Sequence, residues 1–278
     1  MEIIMSKNSP SLAFIHIEKA AGSTLHEIFS TNILGYHIFS PYKFIKNRDN
    51  ENEFLTCEEL KSIKKYYPLL DSFGGHSIRS FSNYEDVFPS LLYITFLRDP
   101  IERFYSHFLH QTEIMNIDWT LDSFISSGNF NNFMCRKICG NQNSKEAISE
   151  INNKFFHVGL IENFDESLIE LSKKLNDVGI TFNTSYVKKN IRSQRTQSKP
   201  LIDKKSLDKI YAANLEDLIL YKKIKQQHSS QNKLDITTLS NQLTLQQRLY
   251  SFLNKFNRHS YVKFLERKLR NQDSNTIA

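Results

Sequence analysis

No stretch of this 278-residue chain approaches the roughly 18 consecutive apolar residues that a membrane-crossing helix needs. The N-terminus, Met1–Pro10, has a short apolar start and then Lys7, Asn8 and Ser9. It lacks the charged start, long apolar core and small-residue cleavage site of a secretory leader. Cysteine is scarce, with only Cys57, Cys135 and Cys139. An odd, sparse set argues against a disulfide framework and for a reducing compartment. Cys135 and Cys139 are spaced to share a helix face, but no third and fourth ligand stands near them, so no metal is expected. The phosphate-loop signature G-x-x-x-x-G-K-[ST] is missing, and no internal repeat is visible.

Charge is moderate and unevenly placed. The formal net charge is +6. Eight Lys/Arg and three Asp/Glu between His228 and Ala278 account for +5 of it, leaving the rest of the chain at +1. The basic balance therefore belongs to the tail and does not point to nucleic acid.

What is present is an alternation of apolar runs and helical periodicities. Leu12–Ile17 (LAFIHI) and Leu91–Leu97 (LLYITFL) are apolar and rich in β-branched or aromatic residues, as expected of parallel strands covered on both faces. Asp71–His76 and His157–Ile161 read as further short strands. Thr56 with Glu59 three residues on predicts a capped helix over Thr56–Tyr67. Asp99 before Pro100 predicts another helix, running to about Thr112. Leu121–Phe155 is helical with Asn-rich breaks, and Asp165–Leu175 and Leu207–Ile224 are helical. The alternation implies an α/β fold with a parallel sheet. A polar stretch at Gln226–Lys233 divides a domain over 1–226 from a tail over 227–278. In the tail, Leu245, Leu249, Phe252, Leu253 and Phe256, then Tyr261, Phe264, Leu265 and Leu269, follow the spacing of a basic amphipathic helix or helix pair.

Two segments carry the chemistry. The first is a strand, the loop Glu18–Thr24 (EKAAGST) and a helix. Small residues at a helix N-terminus expose backbone N–H groups and the positive end of the helix dipole, both of which favour a phosphate or sulfate. Lys19 adds charge, and Ser23 and Thr24 add hydroxyls. In the second segment, YITFLRDPIERFYSHF, a buried strand delivers Arg98 to its carboxyl end, where ligands bind in open α/β sheets. Ser106 lies about two helical turns further on. Arg98 has the planar fork that suits a terminal phosphate. Taken alone, each segment is equally well read as a capped helix with a surface cation or a local ion pair. Together they suit a ligand with two separated phosphate-like groups.

FIHIEKAAGSTL resembles the 5′-phosphosulfate loop, and FLRDPIERFYSHF the 3′-phosphate segment, of sulfotransferases that use 3′-phosphoadenosine 5′-phosphosulfate. The resemblance is greatest to the carbohydrate-modifying group that includes heparan sulfate 2-O-sulfotransferases and their bacterial relatives. GGHS at Gly74–Ser77, NFMCRKICG at Asn132–Gly140, VGLIENFDESL at Val158–Leu168 and NLEDLILYKK at Asn214–Lys223 follow in order, so it spans about residues 10–225. Two positions depart from the family pattern: Glu18 replaces a proline, and Ala20 a threonine or serine. An acid at 18 is compatible with an anionic donor only if it points away.

The resemblance implies a P-loop-NTPase-like three-layer sandwich with a central parallel sheet, here with a C-terminal amphipathic helical extension. It implies a donor held by Lys19, Ala20, Ala21, Gly22, Ser23, Thr24, Arg98 and Ser106, with no metal. Lys19 would stabilise the leaving group, and His76 would take the acceptor's proton. An ordinary histidine, titrating near ~6.5, suits that task. Read without the resemblance, His76 is a hydrogen-bonded loop histidine. His16, between apolar strand residues, reads as structural; His107 and His110 read as partly exposed. Gly74 and Gly75 would let a ligand approach the backbone closely. The basic stretch Lys188, Lys189, Arg192, Arg195 and Lys199 is either a solvated loop or a pocket wall. The partners expected are a carbohydrate acceptor, no nucleic acid, and, through the 228–278 tail, an anionic membrane surface, the chain's own domain or a second copy. A cytoplasmic location is expected. Two other readings stay open: an inactive relative that binds anionic glycans, and a nucleotide-dependent phosphotransferase, which the missing phosphate-loop signature disfavours.

Overall fold

The computed structural model describes residues 10–39, 54–186, 203–229 and 243–256. Five strands form its sheet: β1 (Ser11–Ile15), β2 (Tyr36–Phe39), β3 (Ser72–Gly75), β4 (Leu91–Leu97) and β5 (Phe155–Leu160). They are ordered β2-β3-β1-β4-β5, and every pairing is parallel. A parallel neighbour can be reached only through a crossover; helices lie between β1 and β2, β2 and β3, and β4 and β5, and others follow β5. The helices are α1 (Gly22–Asn32), α2 (Cys57–Tyr66), α3 (Pro100–Leu109), α4 (Leu121–Ser126), α5 (Phe133–Cys139), α6 (Ser144–Lys154), α7 (Phe164–Asp177), α8 (Lys204–Ala213) and α9 (Leu215–Ser229). A further helix, α10, covers residues 245–256.

The sheet is covered on both faces because its strands are apolar on both. Leu12 and Phe14 of β1, with Ile94 and Phe96 of β4, pack against Leu25, Ile28 and Phe29 of α1 and Leu168, Leu171 and Leu175 of α7. The alternate residues Ala13, Ile15, Phe73 and Tyr93 meet Leu60 and Ile63 of α2. On that same face, further along the strands, Leu97 and Leu160 meet α5, α6 and α9. Each such side chain, fully buried, contributes roughly 1.5–3 kcal/mol of transfer free energy. Phe104, Phe124, Phe130 and Ile210 form a smaller separate core among α3, α4 and α8. The three-layer α/β sandwich expected from the sequence is the observed architecture.

Local signals place the elements well. Thr56 and Glu59 form a reciprocal capping box on α2. Asp99 caps α3, accepting from the Ile101 and Glu102 amides at 3.0 Å, with Pro100 at its first position. Helix α3 then widens into a π turn over His110–Ile114. The helix expected over Leu207–Ile224 is two helices, because the chain breaks at the buried Asn214, whose amide group is turned back onto the Ile210 carbonyl.

Helix α10 docks in an unexpected orientation. Gln247 and Asn254 are buried, whereas Leu245, Leu249, Phe252 and Phe256 are exposed. Asn254 donates to the Ser30 and Ile33 carbonyls and accepts from the Gly35 amide, and Gln247 donates to the Ser185 carbonyl. The helix is thus held to the domain by amide side chains, and its apolar stripe faces outward.

Candidate active site

The carboxyl ends of β1, β3 and β4 are adjacent in the sheet. They carry the His16–Ala21 loop, His76 and Arg98 respectively, so topology alone brings the sequence-predicted groups to one edge.

The first loop is unusual in its backbone. Lys19 (φ 69°) and Ala21 (φ 54°) both adopt the left-handed conformation without being glycine. Each costs about 1 kcal/mol or more, a strain typical of segments built for a ligand. Gly22 opens α1 because a Cβ there would lie 1.7 Å from the His16 Nε2 atom. No backbone carbonyl among the described residues accepts from the amides of Ala21, Gly22 or Ser23. Helix α1 has no side-chain cap and no acid in its first turn. The other N-termini differ. Thr56, Asp99, Thr120, Asn143 and Asp203 cap α2, α3, α4, α6 and α8, and α7 begins with Asp165 and Glu166. Helix α5 is capped from a distance by Asp217 of α9, and α9 in return by Asn132. An eleven-residue helix with a bare, positive N-terminus and Lys19 beside it has the geometry and charge that favour an anion.

The second segment reaches the first. Arg98 Nη1 donates to the Lys19 carbonyl oxygen at 3.1 Å, while Nη2 is 3.5 Å from Glu102. The guanidinium is about a quarter exposed, at 27%, so it is available to a ligand. Ser106 is half-buried on α3.

His76 is held from several sides. Its ring stacks on His16 at a centroid distance of 4.0 Å. Its Nδ1 lies 3.1 Å from Glu18 Oε1, off the line of a good hydrogen bond. Its carbonyl oxygen accepts from Arg79 Nη1 at 2.6 Å and from Lys137 Nζ at 2.9 Å. Behind it runs a buried polar chain. His16 Nδ1 is 3.1 Å from His26 Nε2, and His26 Nδ1 is 2.8 Å from the Tyr36 hydroxyl. Burial, then the neighbouring His76 and His26, holds His16 well below the usual histidine range. A neutral imidazole therefore supports the loop from beneath.

Several sequence expectations need correction. Ala20 is buried in the core, and its amide is directed back to the Ile17 carbonyl, so it does not face a ligand. Gly74 and Gly75 belong to β3 itself. A Cβ at Gly74 would lie 2.3 Å from the Tyr36 hydroxyl, and one at Gly75 2.0 Å from the Phe39 carbonyl. Their smallness serves β2 and not a ligand. His107 is buried against Phe130 and Phe133. The basic stretch Lys188–Lys199 lies outside the described residues. Among these, no cluster of His, Cys, Asp and Glu could hold a metal, and no helix is long and apolar enough to cross a membrane.

The sequence profile of the Sulfotransferase family (Sulfotransfer_2) matches residues 1–224. The chain belongs to the sulfotransferase family. No curated protein matches it. A crystal structure of a sulfotransferase from Alicyclobacillus acidocaldarius aligns over 79% of this sulfotransferase and 96% of its own chain, at 11% identity and a TM-score of 0.46. Sequence reading of the site missed Lys137 of this sulfotransferase. Its one signal was a lysine beside Arg136 between the apolar residues of FMCRKIC in α5.

Proposed function

We propose that the protein transfers the sulfuryl group of 3′-phosphoadenosine 5′-phosphosulfate to a hydroxyl of a carbohydrate. The observation that carries this reading is the uncapped N-terminus of α1, with Lys19 in its loop and Arg98 donating to the Lys19 carbonyl. Two cations and a helix N-terminus at one sheet edge match a donor with two anionic groups. The carbohydrate acceptor follows from the sequence resemblance to the heparan sulfate 2-O group.

In this reading the loop amides and the Ser23 and Thr24 hydroxyls hold the phosphosulfate. Arg98 and Ser106 hold the 3′-phosphate. The acceptor oxygen attacks sulfur in line with the phosphate oxygen that leaves. The new O–S bond forms as the old one breaks, and adenosine 3′,5′-bisphosphate departs with the bonding electrons, as in phosphoryl transfer. Lys19 neutralises the charge growing on that oxygen. His76 takes the proton of the acceptor hydroxyl.

Lys19→Ala and His76→Ala test the roles. Transfer of labelled sulfate to a glycan panel should fall by about 10²–10⁴-fold in each, with the fold retained by circular dichroism. Turnover at the parental rate in either variant would remove that residue from its role. Adenosine 3′,5′-bisphosphate should raise the melting temperature of the parent protein by mass action, and no shift at saturating ligand would overturn the donor assignment. Donor binding without transfer to any glycan would favour the inactive relative.

A further inference from the structure

Glu18 is the acid in the first loop, and its carboxylate is turned toward Lys137 and His76. Its Oε1 is 2.8 Å from Lys137 Nζ, on the side where Nδ1 of His76 also lies. Lys137 is 4% exposed and, through the His76 carbonyl, joins Glu18 to the residue that follows β3. A buried lysine that touches both groups is expensive to maintain unless both are fixed by it. The Glu18 Oε2 atom is buried with no hydrogen-bond partner, leaving acceptor capacity unused, and Nδ1 of His76 is buried with no aligned partner either. The ring as a whole remains 37% exposed, so its open side is not Nδ1.

We propose that Glu18 is the positioning residue of the base. Its carboxylate takes the Nδ1–H of His76, which leaves the lone pair on Nε2 facing the acceptor, and Lys137 cancels its charge beside the donor loop. When Nε2 accepts the acceptor's proton, the ring becomes an imidazolium whose Nδ1–H stays on Glu18, and no second proton moves. The logic is that of an imidazole oriented by a carboxylate. Burial alone would raise the Glu18 pKa, but Lys137, then His76, outweigh it and hold the carboxyl well below its usual range. Glu18 is therefore a poor base itself. The inference rests on the reading of His76 as the base.

A double-mutant cycle separates the two ideas. Glu18→Gln should lower kcat by roughly 10²-fold, the scale of a misplaced reacting group, with the donor KM unchanged. In a His76→Ala background the same change should have no further effect on kcat, because Glu18 acts only through His76. Effects that multiply, or a Glu18→Gln enzyme with parental kcat, would overturn the positioning role while leaving His76 as base. An active His76→Ala enzyme with an inactive Glu18→Gln enzyme would overturn the reading of His76 itself and make Glu18 the base. Because Glu18→Gln strands the buried Lys137 charge, the cycle is repeated in a Lys137→Met background. The bisphosphate-induced rise in melting temperature, measured for every variant, confirms an intact donor site. Loss of that rise in Glu18→Gln/Lys137→Met would show a merely structural pair and overturn the proposal.

Discussion

The two segments proposed to hold the donor have the same plan, a strand followed by a loop and a helix, yet they treat their helix N-termini in opposite ways. After β4, Asp99 accepts from the first amides of α3, so that N-terminus is satisfied by its own chain. After β1, no side chain caps α1, and the preceding loop holds two left-handed residues. In the proposed reading the first segment offers its backbone to a ligand, and the second offers only side chains, Arg98 and Ser106. The supports differ accordingly. The first loop rests on the His16–His26–Tyr36 chain and the Glu18–Lys137 pair. The second rests on its Asp99 cap, the Glu162 carboxylate that accepts from the Asp99 amide, and an apolar strand. Under the proposed function, the resemblance in plan hides a division of labour: backbone recognition of the reacting group and side-chain recognition of a distal one.

The largest test of this comparison is Arg98→Ala. If the second segment binds through side chains alone, removing the fork should weaken adenosine 3′,5′-bisphosphate about 10–100-fold, the 1.5–3 kcal/mol of a charged hydrogen bond. The melting temperature without ligand should barely change, since Arg98 is partly exposed and its contact with Glu102 is long. Arg98→Lys should recover little, because a point charge does not replace the planar fork. Unchanged affinity in isothermal titration would leave the first loop as the sole anion site.

Both segments also bury an imidazole, which predicts acid sensitivity. Burial, then its neighbour Arg103, brings His107 down to about 3. Burial also lowers His16 and His157. Groups that resist protonation in the folded state bind more protons when unfolded, so stability falls as pH drops below about 6.5, the ordinary histidine value, and is unaffected above it. Each contributes a slope of up to about 1.4 kcal/mol per pH unit in that window. The Glu18 carboxyl, held low, adds its own loss only at pH below the ordinary carboxylate range. His107→Gln should flatten the curve of unfolding free energy against pH between 7 and 5 by one such slope, measured by urea titration. An unchanged curve would mean that His107 titrates normally when folded.

The uneven legibility of the sequence follows the range of the interactions. The Thr56–Glu59 box, the Asp99–Pro100 start and the LLYITFL strand involve residues within a turn of one another, and their chemistry can be read in order. The capping exchange between Asn132 and Asp217, the docking of Lys137 against Glu18 and the clearance that Tyr36 demands of Gly74 join residues far apart in the chain. Nothing local announces them. The NFMCRKICG and NLEDLILYKK segments were visible as family pattern. Their common purpose, α5 and α9 capping one another and so fixing Lys137, needed the fold. Helix α10 shows the limit most plainly. Its period specifies a helix and an apolar stripe, but not that Gln247 and Asn254 would make the contact with the domain.

Asp99→Ala gives the smallest effect and the sharpest contrast. Removing the carboxylate frees the Ile101 and Glu102 amides, at a typical cost of about 1 kcal/mol for a lost N-cap. If capping is what excludes α3 from backbone recognition, the variant should lose that stability without losing affinity for the bisphosphate. It also removes a negative charge beside Arg98, so binding should strengthen slightly at low salt and revert as salt screens the change. Weaker binding, measured alongside the thermal shift, would show that the Asp99 cap positions Arg98. The two segments would then be alike in depending on the backbone, and the division of labour argued above would fail.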